Sequence, residues 1–441
     1  MEHTFSSQVD SLSGQTTQLC YHCHKCTAGC PAAFAMEYGP DRILRLIQFG
    51  QKERLLASRD AWLCLGCEMC GAHCPNEIDI SHVMIALKEL AGEAGYRVED
   101  CQELRELLAD RAASLPLHLQ QRQPETVVDD RLCEGISRLN NLSQTIVAEH
   151  NITGDDNSER LIWSQNLERI PPGLENQQGA DIVYFVGCVA SFFPRSYRVP
   201  QALVSILDMS SAASGMTFTT MGGQEWCCGY PLLSMGRLEE AKALIRHNVA
   251  QVKELGASRI TFACPSCYHM WKLIYPDVLG EDAALLSDLE ILHASELLDE
   301  LITKGDITLG ELDLRVTYHD PCDLGRKSGV FQAPRRVLQS IPGVTFVEMS
   351  TSGEISECCG GGGNLESFDP DVVSEVSSRR MDRACEVEAQ MVVSACQQCE
   401  RTLMAAMRRH KGARRARMRV ADVTELVLQA MEKASDNDSE T

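Results

Sequence analysis

The strongest constraint in this chain is a set of five cysteines that occurs twice. The first copy is Cys188, Cys227, Cys228, Cys264 and Cys267; the second is Cys322, Cys358, Cys359, Cys396 and Cys399. Equivalent positions lie 134, 131, 131, 132 and 132 residues apart, so residues 181 to 432 read as an internal repeat. Each copy holds an adjacent pair followed by glycine, Cys227-Cys228-Gly229 and Cys358-Cys359-Gly360. Neighbouring cysteines do not readily bridge each other, but a sharp turn between them aims both sulfurs at one centre. The glycine permits left-handed backbone and close approach. The second pair continues as Gly361-Gly362-Gly363-Asn364, with almost no side chain to hold a neighbour away. A chain of 441 residues needs no disulfides to fold, and 21 cysteines at these spacings read as metal ligands.

The flanks repeat as well. Apolar runs precede the first cysteine of each copy (DIVYFVG and LRVTYHDP) and each C-x2-C (RITFA and MVVSA). Short β-rich runs alternate with helical patterns at 235–255 and 372–388. This predicts a small α/β layer per copy with cysteines at strand ends, where such folds place their sites. Five thiolates exceed the four of a cubane cluster. Either one is left over or an opened cluster uses all five. Zinc does not take five thiolates, and a redox-active C-x2-C alone leaves three cysteines per copy unexplained.

Upstream, Cys20, Cys23, Cys26 and Cys30 read C-x2-C-x2-C-x3-C followed by Pro31. Cys64, Cys67, Cys70 and Cys74 repeat the spacing before Pro75. This is the two-cluster ferredoxin pattern, in which the fourth cysteine of each run serves the other cluster. Cys20, Cys23, Cys26 and Cys74 are expected to hold one [4Fe–4S] cube, and Cys64, Cys67, Cys70 and Cys30 the second. The patterns predict helices over Pro40 to Leu56 and from a Ser81 cap through Ala91. His22, His24, His73 and His82 are expected as hydrogen-bonding neighbours, because the cysteine count is already complete.

The net charge of −21 disfavours nucleic acid as a partner. The segment Arg401 to Arg419 runs against that trend and reads as a solvated helix face or a dock for an acidic partner. No basic n-region with an apolar run opens the chain and no 18-residue apolar stretch occurs. A cytoplasmic location is therefore expected, with attachment to the inner membrane face through a partner subunit. Cys101 and Cys133 fit no ligand spacing. Residues 150 to 180 read as a linker, the Asn151 sequon carries no weight, and the acidic tail from Ser435 is expected to fray.

The spacings C-x38-CC-x35-C-x2-C and C-x35-CC-x36-C-x2-C resemble the CCG-domain (cysteine-rich domain) family. So do His319-Asp320-Pro321-Cys322, Leu324-Gly325-Arg326, Ile341-Pro342-Gly343 and the glycine run after Cys359. The whole order is similar to the catalytic subunit of heterodisulfide reductase in its fused form, and to related subunits of sulfate-reducer membrane complexes, over about residues 15 to 432. The resemblance implies an α+β multidomain chain. A helical two-cluster ferredoxin domain spans 1–100, a connector 101–180, CCG domains 181–310 and 311–432, and a tail 433–441. It implies two cubane [4Fe–4S] clusters and two non-cubane ones, the latter on the two five-cysteine sets and acting on a disulfide. No protein nucleophile is required. His319, Asp320, His269 and Tyr268 sit beside ligands as hydrogen-bonding groups. Implied partners are a cytochrome b-like membrane subunit or flavoprotein, and a thiol or disulfide substrate or thiol-carrier protein. The alternatives are a non-catalytic electron-transfer subunit and the iron–sulfur subunit of a 2-hydroxy-acid oxidase. No flavin or nicotinamide fingerprint is present.

Overall fold

A computed structural model describes residues 4–95 and 130–439, with isolated positions between 102 and 109. Cys101 and the helical pattern that follows it lie largely outside the described residues, as does the end of the acidic tail. The chain forms two compact units. Unit 1 comprises 1–144, 231–238 and 360–376; unit 2 comprises 145–230, 239–359 and 377–441.

Unit 1 is helical. Helix Ile80–Glu93 buries Ile80, Val83, Met84, Leu87 and Leu90, and helix Gly39–Gln48 buries Ile43, Leu44 and Ile47. The expected Pro40–Leu56 helix is two helices, broken between Gln48 and Lys52, where Gly50 takes a left-handed φ of 67°. The expected cap at Ser81 is at Asp79 instead. Its carboxylate accepts from the backbone N–H of Ser81 and His82, a stronger acceptor two residues earlier. Buried Asp60 accepts from the N–H groups of Glu37, Tyr38 and Gly39 and so closes the start of helix Gly39–Gln48.

The two inserted segments complete this unit. Asn364 donates to the Pro231 carbonyl and the Ser234 hydroxyl, and Lys88 donates to the Ser234 carbonyl. Arg138 donates to the carbonyls of Ser367 and Phe368, and Arg59 pairs with Asp369. The glycine run now has a reason. A Cβ on Gly363 would meet the Cys64 carbonyl oxygen at 2.4 Å, and one on Gly362 the Leu65 carbonyl oxygen at 2.7 Å.

Unit 2 holds two four-stranded, all-parallel sheets of equal topology. The first contains β1 (Ile182–Phe185), β2 (Phe218–Thr220), β3 (Arg259–Phe262) and β4 (Glu290–His293), in the order β2-β1-β3-β4. The second contains β5 (Leu314–His319), β6 (Val344–Val347), β7 (Met391–Ser394) and β8 (Arg419–Asp422), in the order β6-β5-β7-β8. Parallel sheets are covered on both faces, which explains the wholly buried β1 and β7. The last residue of each sheet's fourth strand caps a helix in the same way. His293 accepts from Ser295 N–H while Glu296 accepts from His293 N–H; Asp422 accepts from Thr424 N–H while Glu425 accepts from Asp422 N–H.

The copies pack with a pseudo-twofold exchange. Helix Arg198–Ser214, after β1, lies on helix Val423–Ser439, after β8. Helix Gln332–Ser340, after β5, lies on helix Ala294–Lys304, after β4. Residues 150–180, expected as a linker, belong to unit 2. Arg160 and Trp163 are fully buried there, and Asn151 organises a loop by accepting from Thr153 and Gly154 N–H.

Gly363→Ala should cost more than ~2 kcal/mol, combining a left-handed φ of 62° with the Cys64 clash, whereas Gly14→Ala, at φ 67° in open space, should cost ~1 kcal/mol. Urea denaturation of both variants checks the difference. Asp320 accepts both Arg335 Nη1 at 2.6 Å and Nη2 at 3.0 Å in a buried pair. Asp320→Ala should therefore cost ~3–5 kcal/mol, and adding Arg335→Met should recover part of that loss in the same measurement.

Candidate metal centres

In unit 1 the two cysteine runs share a backbone device. The second residue after the first cysteine and the residue after the second are left-handed in both: His22 and His24 at φ 59° and 63°, Gly66 and Glu68 at 58° and 57°. Such turns bring successive sulfurs and N–H groups to one side. The last cysteine of the first run sits with the second run. Cys30 lines one enclosed space with Cys64, Cys67 and Cys70, walled by Pro31, Pro40, Ile80 and Met84. Burial pushes the Cys30 thiol up, and the charges of Cys67 and Cys64 add to it. Burial also raises Cys20, with Cys74 and Cys23 adding. The histidines have other partners. His22 bonds Gln48 at 2.8 Å, His24 bonds Asp41 at 2.7 Å and His82 pairs with Asp79 at 3.3 Å. The His73 ring covers Gly29, where a Cβ would meet it at 2.4 Å.

In unit 2 every cysteine of the repeat follows a carboxyl end of a strand. Cys188 follows β1, the pair Cys227-Cys228 follows β2, and Cys264 and Cys267 follow β3; Cys322, Cys358-Cys359 and Cys396–Cys399 follow β5, β6 and β7. The order of each sheet reverses between its first and third strands, the switch point at which open parallel sheets bind ligands.

All ten sulfur-bearing side chains are buried. In copy one a line of thiol contacts joins Cys188, Cys227, Cys228, Cys267 and Cys264. In copy two it joins Cys358, Cys359, Cys399 and Cys396, with Cys359 Sγ 3.3 Å from Cys399 Sγ. The second cysteine of each pair is the acidic one. Hydrogen bonds from Cys227 and then Cys267 pull Cys228 down, and those from Cys358 and then Cys399 pull Cys359 down. Cys322 has a different partner, donating to Asp323 Oδ1 at 3.9 Å.

The neighbouring groups anticipated from sequence take defined places. His319 lies with Cys359 and Cys399, one ring nitrogen and both sulfurs within 4.8 Å of one another. Its Nδ1 accepts from Arg380 Nε at 3.0 Å, so its proton resides on Nε2. Burial keeps this ring neutral by lowering its pKa. His319 is thus a fixed hydrogen-bond donor toward sulfur. Asp320 faces Arg335 and Gly353 N–H, His269 Nδ1 lies 3.4 Å from Ser328 Oγ, and Tyr268 OH accepts from Lys272.

The copies meet at these loops in matched fashion. Ser266, between Cys264 and Cys267, donates to Asp323 beside Cys322. Gln397, between Cys396 and Cys399, lies 3.4 Å from the Val186 carbonyl, two residues before Cys188. At Gly187 the two copies come together, since a Cβ there would meet Cys267 Sγ at 3.2 Å and Gln397 Nε2 at 3.5 Å. Lys327 Nζ pairs with Asp323 at 2.8 Å and reaches Tyr230 OH at 3.3 Å.

The donor sets suit iron–sulfur clusters. Burial and like charge make most of these thiols reluctant to ionise alone, which cationic iron offsets, and no disulfide joins them among the described residues. Sequence reasoning missed Arg160, Glu225, Arg380 and Lys327. Arg160 sits in a stretch that reads as irregular and polar, and the others carry no spacing signal.

Comparison with known proteins agrees with this geometry. The cysteine-rich domain model matches residues 182–272 and 316–404, and a 4Fe–4S dicluster domain model matches 19–79. One polypeptide of the dihydromethanophenazine:CoB–CoM heterodisulfide reductase of Methanosarcina acetivorans is 38% identical over 280 residues, covering 63% of this chain and 64% of that protein. The Methanosarcina mazei counterpart is 36% identical over 286 residues, 64% of this chain and 65% of that protein. A probable membrane-anchored ferredoxin of Chromohalobacter salexigens is 27% identical over 94% of this chain and 59% of its own length. The chain thus spans less than two thirds of the length of these relatives. It belongs to the family of iron–sulfur proteins in which a 4Fe–4S dicluster domain is joined to two cysteine-rich CCG domains.

Proposed function

We propose that this electron-transfer protein carries four [4Fe–4S] clusters and uses the two in unit 2 to reduce or form a disulfide. The cubane ligands are Cys20, Cys23, Cys26 and Cys74, and Cys64, Cys67, Cys70 and Cys30. The five-cysteine sets hold the other two, of non-cubane form. The observation that carries this reading is that two buried thiol sets meet at one seam, where Cys267 of copy one and Gln397 of copy two both lie against Gly187. Cleavage of a disulfide balances as R–S–S–R′ + 2e⁻ + 2H⁺ → R–SH + R′–SH, so two one-electron centres side by side match its demand. When bound, the clusters supply those electrons singly and offer iron to sulfur.

The chain's own residues prepare the place. His319 Nε2–H donates toward the Cys359 sulfur, with Cys399 close by, and is held by Arg380. Lys327, Tyr230 and Ser266 surround Asp323, so the copy-two entrance beside Cys322 is polar and fully paired. Apolar strands exclude water from the sheet ends, which strengthens each of these hydrogen bonds. Gly363 lies on the Cys64 backbone, and only three residues of chain lie between it and Cys359. The relatives' names, as reductase subunits, support a place in a multi-subunit redox complex; a cytochrome b-like or flavoprotein partner and attachment to the inner face of a membrane belong to the same proposal. No helix among the described residues is long and apolar enough to cross that membrane itself. The likeness to a membrane-anchored ferredoxin over 94% of the chain favours a second reading, a relay without a substrate of its own.

Anaerobically purified protein should contain iron for four [4Fe–4S] clusters and reduce a thiol-pair disulfide with a viologen donor. A thiol should change a paramagnetic signal of a unit 2 cluster. Full iron, no disulfide turnover and thiol-insensitive spectra would leave the relay. Separately, Cys30→Ser should alter the cluster shared with Cys64, Cys67 and Cys70, so that Cys30→Ser and Cys64→Ser change the same spectral component, while Cys26→Ser changes another.

A further inference from the structure

The two copies match so closely that their differences at equivalent ligands stand out. At the first cysteine of copy one, a guanidinium faces the sulfur. Arg160 is 1% exposed, and its Nη2 lies 3.4 Å from Cys188 Sγ. Its Nη1 donates to Glu225 Oε1 at 2.8 Å, its Nε to Asn157 Oδ1 at 3.0 Å, and its plane lies over Phe192. Glu225, also 1% exposed, holds the frame by accepting from the N–H groups of Val186 and Gly187, both at 2.8 Å. The ion pair is neutral as a whole, but its positive end is turned to the ligand. At the first cysteine of copy two the sign is reversed. Cys322 faces the Asp323 carboxylate through Oδ1, the same oxygen that pairs with Lys327. Arg380, the buried arginine of copy two, acts one step away, through neutral His319. Arg160 lies outside the segments matched by the cysteine-rich domain model, in a stretch that sequence reads as a linker.

We infer that Arg160 makes the two unit 2 centres electrochemically unequal, with the copy-one centre the more easily reduced. This rests on the reading that both five-cysteine sets hold iron–sulfur clusters. Reduction adds negative charge to a cluster. A buried cation with an N–H aimed at a ligand sulfur stabilises that added charge, whereas a carboxylate at the same position opposes it. Low local dielectric makes both effects larger than in water. An electron arriving at unit 2 therefore comes to rest at copy one, and the copy-two centre is the stronger one-electron donor. Arg160 acts through Cys188 and is a positioning residue.

The test is a potentiometric titration of the full chain, followed by electron paramagnetic resonance, with iron content measured for every variant. In the wild type the two unit 2 signals should have separate midpoints. Arg160→Gln should move the higher midpoint to lower potential and narrow the separation. Arg160→Lys should move it less. Glu225→Gln should move the same midpoint the opposite way, because it removes the negative charge behind the guanidinium and leaves a group of the same shape. A merely structural role predicts loss of iron or no shift, and does not predict opposite signs. Unchanged midpoints in iron-replete Arg160→Gln, or shifts of the same sign in Arg160→Gln and Glu225→Gln, overturn the inference. Should Arg160→Gln lose iron, Arg160→Lys and Glu225→Gln decide by the same criterion. Wild-type protein with iron in unit 1 alone would instead overturn the underlying reading of the sites.

Discussion

Ten thiols crowd into the water-poor carboxyl ends of two parallel sheets, and the rest of unit 2 answers the charge they carry once ionised. A lone thiolate there is costly, and each neighbour makes the next one costlier. The protein offsets this with hydrogen bonds from thiol to thiol, with buried arginines, and with strand-end N–H groups. The pairs Cys227-Cys228 and Cys358-Cys359 carry the densest part of this pattern, because adjacent residues on a tight turn place two sulfurs within contact. Gly229 and Gly360, at φ 88° and 92°, let the chain leave that turn against Ala241 and Val376.

The same constraint explains why the sheets are arranged as they are. A strand order that reverses between the first and third strands opens a crevice at one end only, and loops from three strands converge there. Two such ends brought together by exchanged helices form one polar seam, joined by Ser266 to Asp323 and Gln397 to Val186. Near-symmetry makes the scaffold simple to build by duplication. Departures from symmetry then carry the specialisation: a π-turn over Met270–Ile274 in copy one where copy two continues as one helix, and opposite charges beside Cys188 and Cys322.

Much of this was legible in the sequence, because ligand spacing is a local property. The repeat and the strands before the first cysteine and the C-x2-C of each copy follow from short-range pattern, and the apolar runs before Cys264 and Cys396 became β3 and β7; β2 and β6, before the cysteine pairs, carried no such signal. The helix cap moved from Ser81 to Asp79 because both residues are competent caps and only the entry path of the chain separates them. Arg160 was illegible for a deeper reason. A buried arginine is permitted only by partners distant in sequence, here Glu225 and Cys188, and the stretch around it has no periodicity to announce burial. The assignment of 231–238 and 360–376 to unit 1 was equally hidden. The glycines that permit it were visible, but not the backbone they had to approach.

That last feature bears on how the protein comes into being. The cysteine-rich helical unit at the amino terminus is discontinuous: its packing is finished by Asn364, Phe368 and Asp369, more than two hundred residues after its last metal-ligand cysteine. During synthesis it must wait for the chain through Val376, well into the second repeat, before it can close. A gene fragment encoding the amino-terminal part alone would therefore yield an unfinished body with its hydrophobic seams open. Closure of unit 1 is in this way tied to synthesis of the chain through Val376, far beyond its own ligand cysteines.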